Sequence, residues 1–464
     1  MSYLANLSPE LCRSIASYLH SSHILELCAT SKSCHAKFEP ELYRDIRWTY
    51  FHSQKATSKP IHQLLSKILR RPQISGWVQK FAVNETGFGP KPRVGKVFSS
   101  AELTLLRSLL LDASIPDIDG WIDELREGSL ETIIATILSQ FREVRSLTLD
   151  VFFRHDDDCA YLTDEQSRIS QLFEHSVLAP EGLPINRFLH LKDLSWPSEA
   201  FPGPHCFLRR SELPTVMPAM FLPAIESAAL KVDQPGTTQH DILDRIQEVA
   251  QSSRLEVLKL RHSSINDRTL ARILTFTPAL KILDIEFDRD MSCLDDTAAP
   301  GFHGTSLQAS LATCLSSLES LRILCHINDP LLEVPWSSFF TCPLGSLAAF
   351  EHLVNLEISL TLLLGSDHIS SERLAEALPQ SLMHLGIRED GYGVASVDTT
   401  NEAIRDFPAQ ADPMMPFLKT VSVFLDPERW GEERITQMRD IYAPTRFDFT
   451  VHHIQWEANG EEFD

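Results

Sequence analysis

The sequence lacks the cysteine spacing that metal and redox chemistry uses. Its nine cysteines stand at 12, 28, 34, 159, 206, 293, 314, 325 and 342, with no Cys-x-x-Cys pair and an odd total. That pattern argues against a zinc site or a disulfide framework and for reduced thiols. Residues Met1–Asn6 hold no basic stretch followed by an apolar one, so no secretory signal is expected. Long apolar runs are missing too. The uncharged stretch Val334 to Phe350 has 17 residues and includes two prolines, a glycine and several serines. It is too short and too polar to read as a spanning helix. The expectation is a cytoplasmic or nuclear protein with no membrane partner.

The sequence is equally poor in catalytic signatures. No HExxH or GxSxG occurs, so neither a zinc peptidase nor a nucleophile elbow is indicated. Gly89 to Val97 (GPKPRVGKV) approximates a phosphate loop. It has one residue too many between its glycines, no metal-binding hydroxyl, and two prolines that remove N–H donors. The run His155, Asp156, Asp157, Asp158 lacks the alternation and the glycine of a calcium loop. His452 and His453 are adjacent on an expected strand, where neighbours face opposite sides. No catalytic residue, cofactor or metal ligand is therefore assigned, and the chain is expected not to be an enzyme.

What is present begins with charge. The chain of 464 residues carries a net −21. Residues 1–100 hold 14 Lys+Arg against 6 Asp+Glu, and residues 101–464 hold 28 against 57. A basic start thus precedes a strongly acidic body, which repels phosphate backbones and argues against a nucleic-acid partner.

The first 46 residues read as three short helices. Ser8 is placed to cap the first, Pro9 sits where its missing N–H costs nothing, and Glu10 complements the positive helix end. Leu11, Ile15 and Leu19 recur at four-residue spacing and form an apolar stripe. Ser21 and Ser22 open a second helix carrying Ile24, Leu25, Leu27 and Cys28, and Thr30 and Ser31 cap a third. Pro40 is expected to break the third helix. Three helices of this size bury little surface alone and normally lean on a partner or a following domain.

This segment resembles the F-box family. Leu7, Glu10, Leu11, Ile15, Tyr18, Leu19, Leu25, Leu27, Ser31 and Lys32 stand at matching positions. Ser8 replaces the family's usual proline with Pro9 directly after it, His23 stands where an aspartate is usual, Thr30 replaces a valine, and Cys34 replaces an aromatic residue. The resemblance implies docking on the Skp1 adaptor of a cullin-RING ubiquitin ligase. The residues it assigns to that contact are Leu7, Pro9, Glu10, Leu11, Ile15, Leu19, Leu25 and Leu27.

Beyond residue 76 a short pattern recurs: apolar, two others, apolar, one other, apolar. It starts at Val78, Val144, Leu191, Ile225, Leu255, Leu280, Leu318, Leu353, Leu382 and Leu418. The strict form Leu-x-x-Leu-x-(Leu or Ile) occurs five times between Leu255 and Ile387, where chance allows roughly one or two. It also occurs at Leu106, Leu109 and Leu111, in a segment that reads as helix. Helical stretches at Asp241–Ser252, Asp267–Phe276, Ser306–Leu315 and Ser370–Leu378 separate the later repeats. Strand-and-helix units of this length bury their apolar face only by stacking. The reading is an α/β chain: a three-helix F-box followed by an irregular leucine-rich-repeat solenoid with parallel strands. A compact α/β domain is the alternative, and a Gly-rich phosphate loop after its first strand is absent.

The boundaries expected are 1–48 for the helical module, 49–76 for a helical linker, 77–456 for the solenoid and 457–464 for an acidic tail. Side chains alternate along a strand, so Lys259, Arg261, Asp284, Glu286, Arg322, Glu357, His384 and Arg388 should share the face that meets a target protein. The expected partners are a Skp1-like adaptor, through it a cullin, and an unnamed target. A leucine-rich-repeat scaffold without a ligase role is the second reading.

Overall fold

The computed structural model describes residues 7–51, 59–86, 98–150, 167–180, 182–196, 217–230, 232, 253–263, 265, 267–289, 302–327, 340–389, 397–453, 455–456 and 462–463. The chain divides into two compact units, the first comprising Met1–Ser198, Pro214–Glu226 and Gln239–Gln251, and the second the remainder.

The first unit opens with helices α1 (Pro9–Ala16), α2 (Ser21–Thr30) and α3 (Lys32–Arg44). Ser8 accepts from the Leu11 amide and Ser31 from the Cys34 amide, so both expected caps form. Pro40 does not end α3: the helix runs four residues past it. Proline only removes its own N–H and crowds the turn behind it, and this helix absorbs that cost. Strand β1 (Asp45–Phe51) follows at once.

Next come α4 (Lys59–Arg70), β2 (Lys80–Thr86), α5 (Ser100–Asp112), α6 (Ile118–Glu127), α7 (Leu130–Leu138), β3 (Ser146–Asp150), α8 (Arg168–Leu178) and β4 (Asp193–Trp196). β1 pairs with β2, β2 with β3 and β3 with β4, each in parallel. β1 was not anticipated from the sequence. It runs across residue 48 and joins the sheet ahead of the first expected repeat, with Ile46 beside Phe81 and Trp48 beside Val83.

The second unit contains β5 (Ser227–Leu230), β6 (Val257–Ser263), α9 (Asp267–Phe276), β7 (Ile282–Arg289), β8 (Phe302–His303), α10 (Gly304–Leu311) and β9 (Ser320–Ile327). It continues through β10 (Phe340–Cys342), β11 (Asn355–Ser359), α11 (Leu360–Leu364), α12 (Ser371–Ala377), β12 (His384–Arg388), α13 (Val397–Met414) and β13 (Thr420–Leu425). It ends with α14 (Pro427–Trp430), α15 (Glu432–Tyr442), β14 (Asp448–His453) and the short antiparallel pair β15 (Gln455–Trp456) and β16 (Glu462–Phe463). Strands β5, β6, β7, β9, β11, β12, β13 and β14 form one sheet in that order, every neighbouring pair parallel. β8 and β10 make a separate parallel pair.

Sequential parallel strands with intervening helices are a solenoid-like arrangement, and the register explains the repeating pattern. Leu258, Leu283, Leu321, Leu356, Leu385 and Val421 stand side by side across six strands. Leu260, Ile285 and Ile323 form a parallel row, as do Ile358, Ile387 and Val423. The pattern residues at all ten repeats are buried, none more than 4% exposed. Removing one Leu side chain from water is worth roughly 1.5–3 kcal/mol, and no single strand-helix unit could shield its own row. The expected helices at 267–276, 306–315 and 370–378 are present as α9, α10 with a short 3-10 turn, and α12. The one expected at 241–252 lies outside the described residues, as do the runs at 89–97 and 155–158. Among the described residues no helix is long and apolar enough to cross a membrane.

Candidate functional site

Two surfaces hold the residues singled out in the sequence. The first is the three-helix module. Its interior consists of Cys12, Ala16, Ile24, Cys28, Cys34 and Phe38, with Leu7, Ile15, Leu19, Leu27 and Leu42 packed partly against it. The stripe expected at Leu11, Ile15 and Leu19 is therefore split. Ile15 and Leu19 lean on the core, whereas Leu11 is 53% exposed. Leu25 is 61% exposed and Tyr18 87%. Pro9 and Glu10 also face solvent. The Ser8 hydroxyl beside Glu10, with its own backbone N–H, holds that carboxyl below the usual range.

The small residues Cys12 and Ala16 occupy the interior because close helix approach needs small side chains there. Larger aliphatics beside them are left outward. Exposed Leu and Tyr in a module this small are apolar area that its own fold does not cover.

Two polar contacts brace the module. Lys37 Nζ donates to the Leu7 carbonyl at 2.5 Å. Arg71 forks onto Glu39 at 2.6 and 2.7 Å, tying α3 to the turn after α4. Glu39 is buried, and its hydrogen bonds from Arg71 hold its carboxyl below the ordinary 4.5. A carboxylate with a depressed folded value adds stability above its unfolded value and loses it as pH falls through the folded one. Arg71→Met should therefore lower the thermal midpoint at neutral pH, and the gap from wild type should narrow below 4.5. Melting curves at both pH values check this; an equal gap at both would show that the fork contributes only packing.

The second surface is the sheet face opposite the leucine rows. Lys259, Asp284, Arg322 and Glu357 stand in register across β6, β7, β9 and β11. The alternation expected from the sequence is thus present, but most of these side chains face one another. Arg261 bonds Asp284 at 3.1 Å and also pairs with Glu286. Arg322 reaches Glu286 and Glu357 at 3.3 Å and Asp284 at 3.6 Å. Arg388 meets Glu357 at 3.0 Å and lies 4.9 Å above the Phe424 ring.

Three guanidinium groups and three carboxylates thus form one balanced ladder across five strands. Asp284 and Glu286 are each 7% exposed and Arg388 is 3%. Burial pushes the Glu286 carboxyl up against the pull of Arg261 and Arg322. Burial alone would lower Arg322, yet Glu357, Asp284 and Glu286 outweigh it and raise it. At Gly386 an added Cβ would come within 2.9 Å of the Glu357 side chain, so the absent side chain makes room for the ladder. Of the eight residues assigned to a target, His384 is exposed, its Nδ1 sharing a hydrogen bond with Thr420 Oγ1 at 2.6 Å, and Lys259 is half-buried. The other six are the ladder.

Tyr18 and the Arg–carboxylate pairing went unassigned in the sequence-based site. Tyr18 was readable only as a family match. The pairings depend on register across 25 to 36 residues, which alternation does not supply. Among the described residues no group of three or more His, Cys, Asp or Glu is placed to hold a metal ion.

Comparisons with known proteins add little. No family model matches the chain, and no curated protein matches it. Among solved structures, a chain from "Crystal structure of Rad7 and Elc1 complex in yeast" is similar to 71% of this chain over 94% of its own length, at 13% identity and a TM-score of 0.24. A likeness at that score carries no argument about function.

Proposed function

We propose that this chain is a substrate-recognition adaptor of an SCF-type (Skp1-cullin-F-box) ubiquitin ligase. The three N-terminal helices are its F-box and hold a Skp1-like adaptor. The stacked strands that follow in sequence are an irregular leucine-rich-repeat domain that holds a target protein. The chain itself does no chemistry in this reading. It raises the local concentration of target lysines near the ubiquitin-loaded subunits, a tethering effect.

The observation that carries the reading is the exposure of Leu11, Tyr18 and Leu25 on a module whose core closes without them. They sit at positions where the sequence resembles the F-box. The register of the leucine rows supports the repeat reading. For the target-binding part, the internal pairing of the ladder leaves His384 and its exposed row, including Asn355, as the candidate contact on that face.

The test is co-purification of the full chain with Skp1 and with cullin. Recovery of both is expected. Skp1 without cullin, and no change in turnover of captured proteins, would instead favour the second reading, a leucine-rich-repeat scaffold without a ligase role. Failure to bind Skp1 at all would remove both F-box readings.

A further inference from the structure

Outside both surfaces, the short pair β8 and β10 brings together three side chains that neither role uses. Cys342 Sγ lies 3.1 Å from His303 Nδ1 and 3.8 Å from its Nε2. Thr305 Oγ1 lies 2.8 Å from the same Nδ1 and 3.7 Å from the sulfur. His303 and Cys342 are 39 residues apart in sequence, and their strands are in register at these two positions.

The arrangement is held by Gly304. A Cβ there would fall 2.4 Å from the Cys342 carbonyl oxygen and 2.5 Å from Pro343 backbone atoms. Only glycine allows the start of α10 to approach that backbone so closely, and His303 and Thr305 are the residues on either side of it.

Cys342 also differs from its fellows in access. Among the described cysteines, Cys12, Cys28, Cys34 and Cys314 are buried, while Cys342 is partly open. Burial pushes the Cys28 and Cys314 thiols up. Hydrogen bonds from Ser31 and Thr30 lower the Cys34 thiol, but it is 3% exposed inside the helical core. His303 beside Cys342 is solvent-exposed, so a small molecule can approach the sulfur while the ring receives its proton.

From this geometry we propose that Cys342 is a reactive thiol that exchanges with small disulfides, with His303 as its proton acceptor. With the ring proton on Nε2, Nδ1 accepts from the thiol. The resulting thiolate attacks one sulfur of a disulfide such as glutathione disulfide. A new sulfur–sulfur bond forms at Cys342, the old one breaks, and the departing thiolate takes the proton held by the imidazolium. Cys342 is oxidised and the leaving sulfur is reduced, so electrons and protons balance. A nucleophile within hydrogen-bond reach of a base is the element common to activated thiols. Thr305 competes for the same Nδ1 lone pair, so its hydroxyl is not required for the reaction.

The test treats the full native chain with glutathione disulfide at neutral pH and follows each cysteine-containing peptide by mass spectrometry. Among the described cysteines, Cys342 is expected to form the mixed disulfide first, at least about tenfold faster than Cys34. His303→Asn should slow the Cys342 reaction by about tenfold or more, because an unassisted thiol is only a few per cent thiolate at neutral pH. Thr305→Val should leave that rate at or above the wild-type value. Thermal melting of each variant separates loss of the base from loss of fold. Because Cys34 is an internal reporter, a variant that merely loosens the chain would speed Cys34 while His303→Asn should not. A Cys342 rate unchanged by His303→Asn in a folded protein, or no faster than Cys34, overturns the proposal.

Discussion

Replacing Leu11 and Leu25 together by aspartate should abolish capture of Skp1 while leaving the chain folded. Both side chains are more than half exposed and lie outside the Cys12–Phe38 core, so the free protein has little apolar packing to lose. In a complex, each would place a charge in a surface that a partner must desolvate. Hot-spot residues of this kind are worth about 2 kcal/mol or more apiece, about thirtyfold in affinity. Two such losses together weaken a complex about a thousandfold, enough to lose it in a pull-down. Ile15 is the wrong choice for this experiment because it packs partly against the module's own core. Its replacement would confuse loss of binding with loss of fold. Titration calorimetry with Skp1, alongside circular dichroism of the variant, reads the two effects separately. Full binding by a folded double variant would take these residues out of the interface.

Arg322→Ala should produce the largest stability loss among the charged positions. The guanidinium touches Asp284, Glu286 and Glu357 from a site 28% exposed at the side chain. Removing it leaves three carboxylates with only Arg261 and Arg388 among the ladder's own arginines to offset them. Breaking a buried ion pair from one side costs about 3 kcal/mol or more, because the orphaned charge remains desolvated. Glu286, already raised by burial, loses one of the two cations that oppose the rise. Arg322→Lys should fall between the variant and wild type, since an ammonium cannot serve several carboxylates in fork geometry. Lys281→Ala provides the control. Its pair with Glu256 sits at 2.9 Å but is nearly half exposed on both sides, and solvent screens such pairs. Urea unfolding should separate Arg322→Ala clearly from wild type and leave Lys281→Ala unshifted. Equal midpoints for the two alanine variants would mean that the ladder adds nothing beyond a surface pair.

The repeats were readable because their signal is local and redundant. Leu258 and Leu260 announce a strand by themselves, and the same spacing returns at Leu283, Leu321, Leu356 and Leu385. The first strand escaped although Tyr43, Ile46 and Trp48 carry the same spacing. Tyr43 belongs to the end of α3, so the pattern there straddles two kinds of element. Pro40 misled for a related reason: a proline rule read alone overrode the capped helix around it. In the module, large aliphatics drew the apolar stripe to Leu11, Ile15 and Leu19, whereas the helices close over Cys12 and Ala16. Size ranks hydrophobicity, but close packing selects small residues. The paired charges were invisible for a different reason. Alternation places Arg322 and Glu357 on one face, yet only the strand register sets them 3.3 Å apart.

Amide hydrogen exchange on the full chain, with and without Skp1, bears most directly on the claim that the opening helices exist to be covered by another protein. Slowed exchange is expected across Pro9–Thr30 on addition of the adaptor, with the strand rows from Leu258 to Val423 unchanged. A bound adaptor that protects the strands instead, or helices that exchange at the same rate whether Skp1 is present or not, would contradict it.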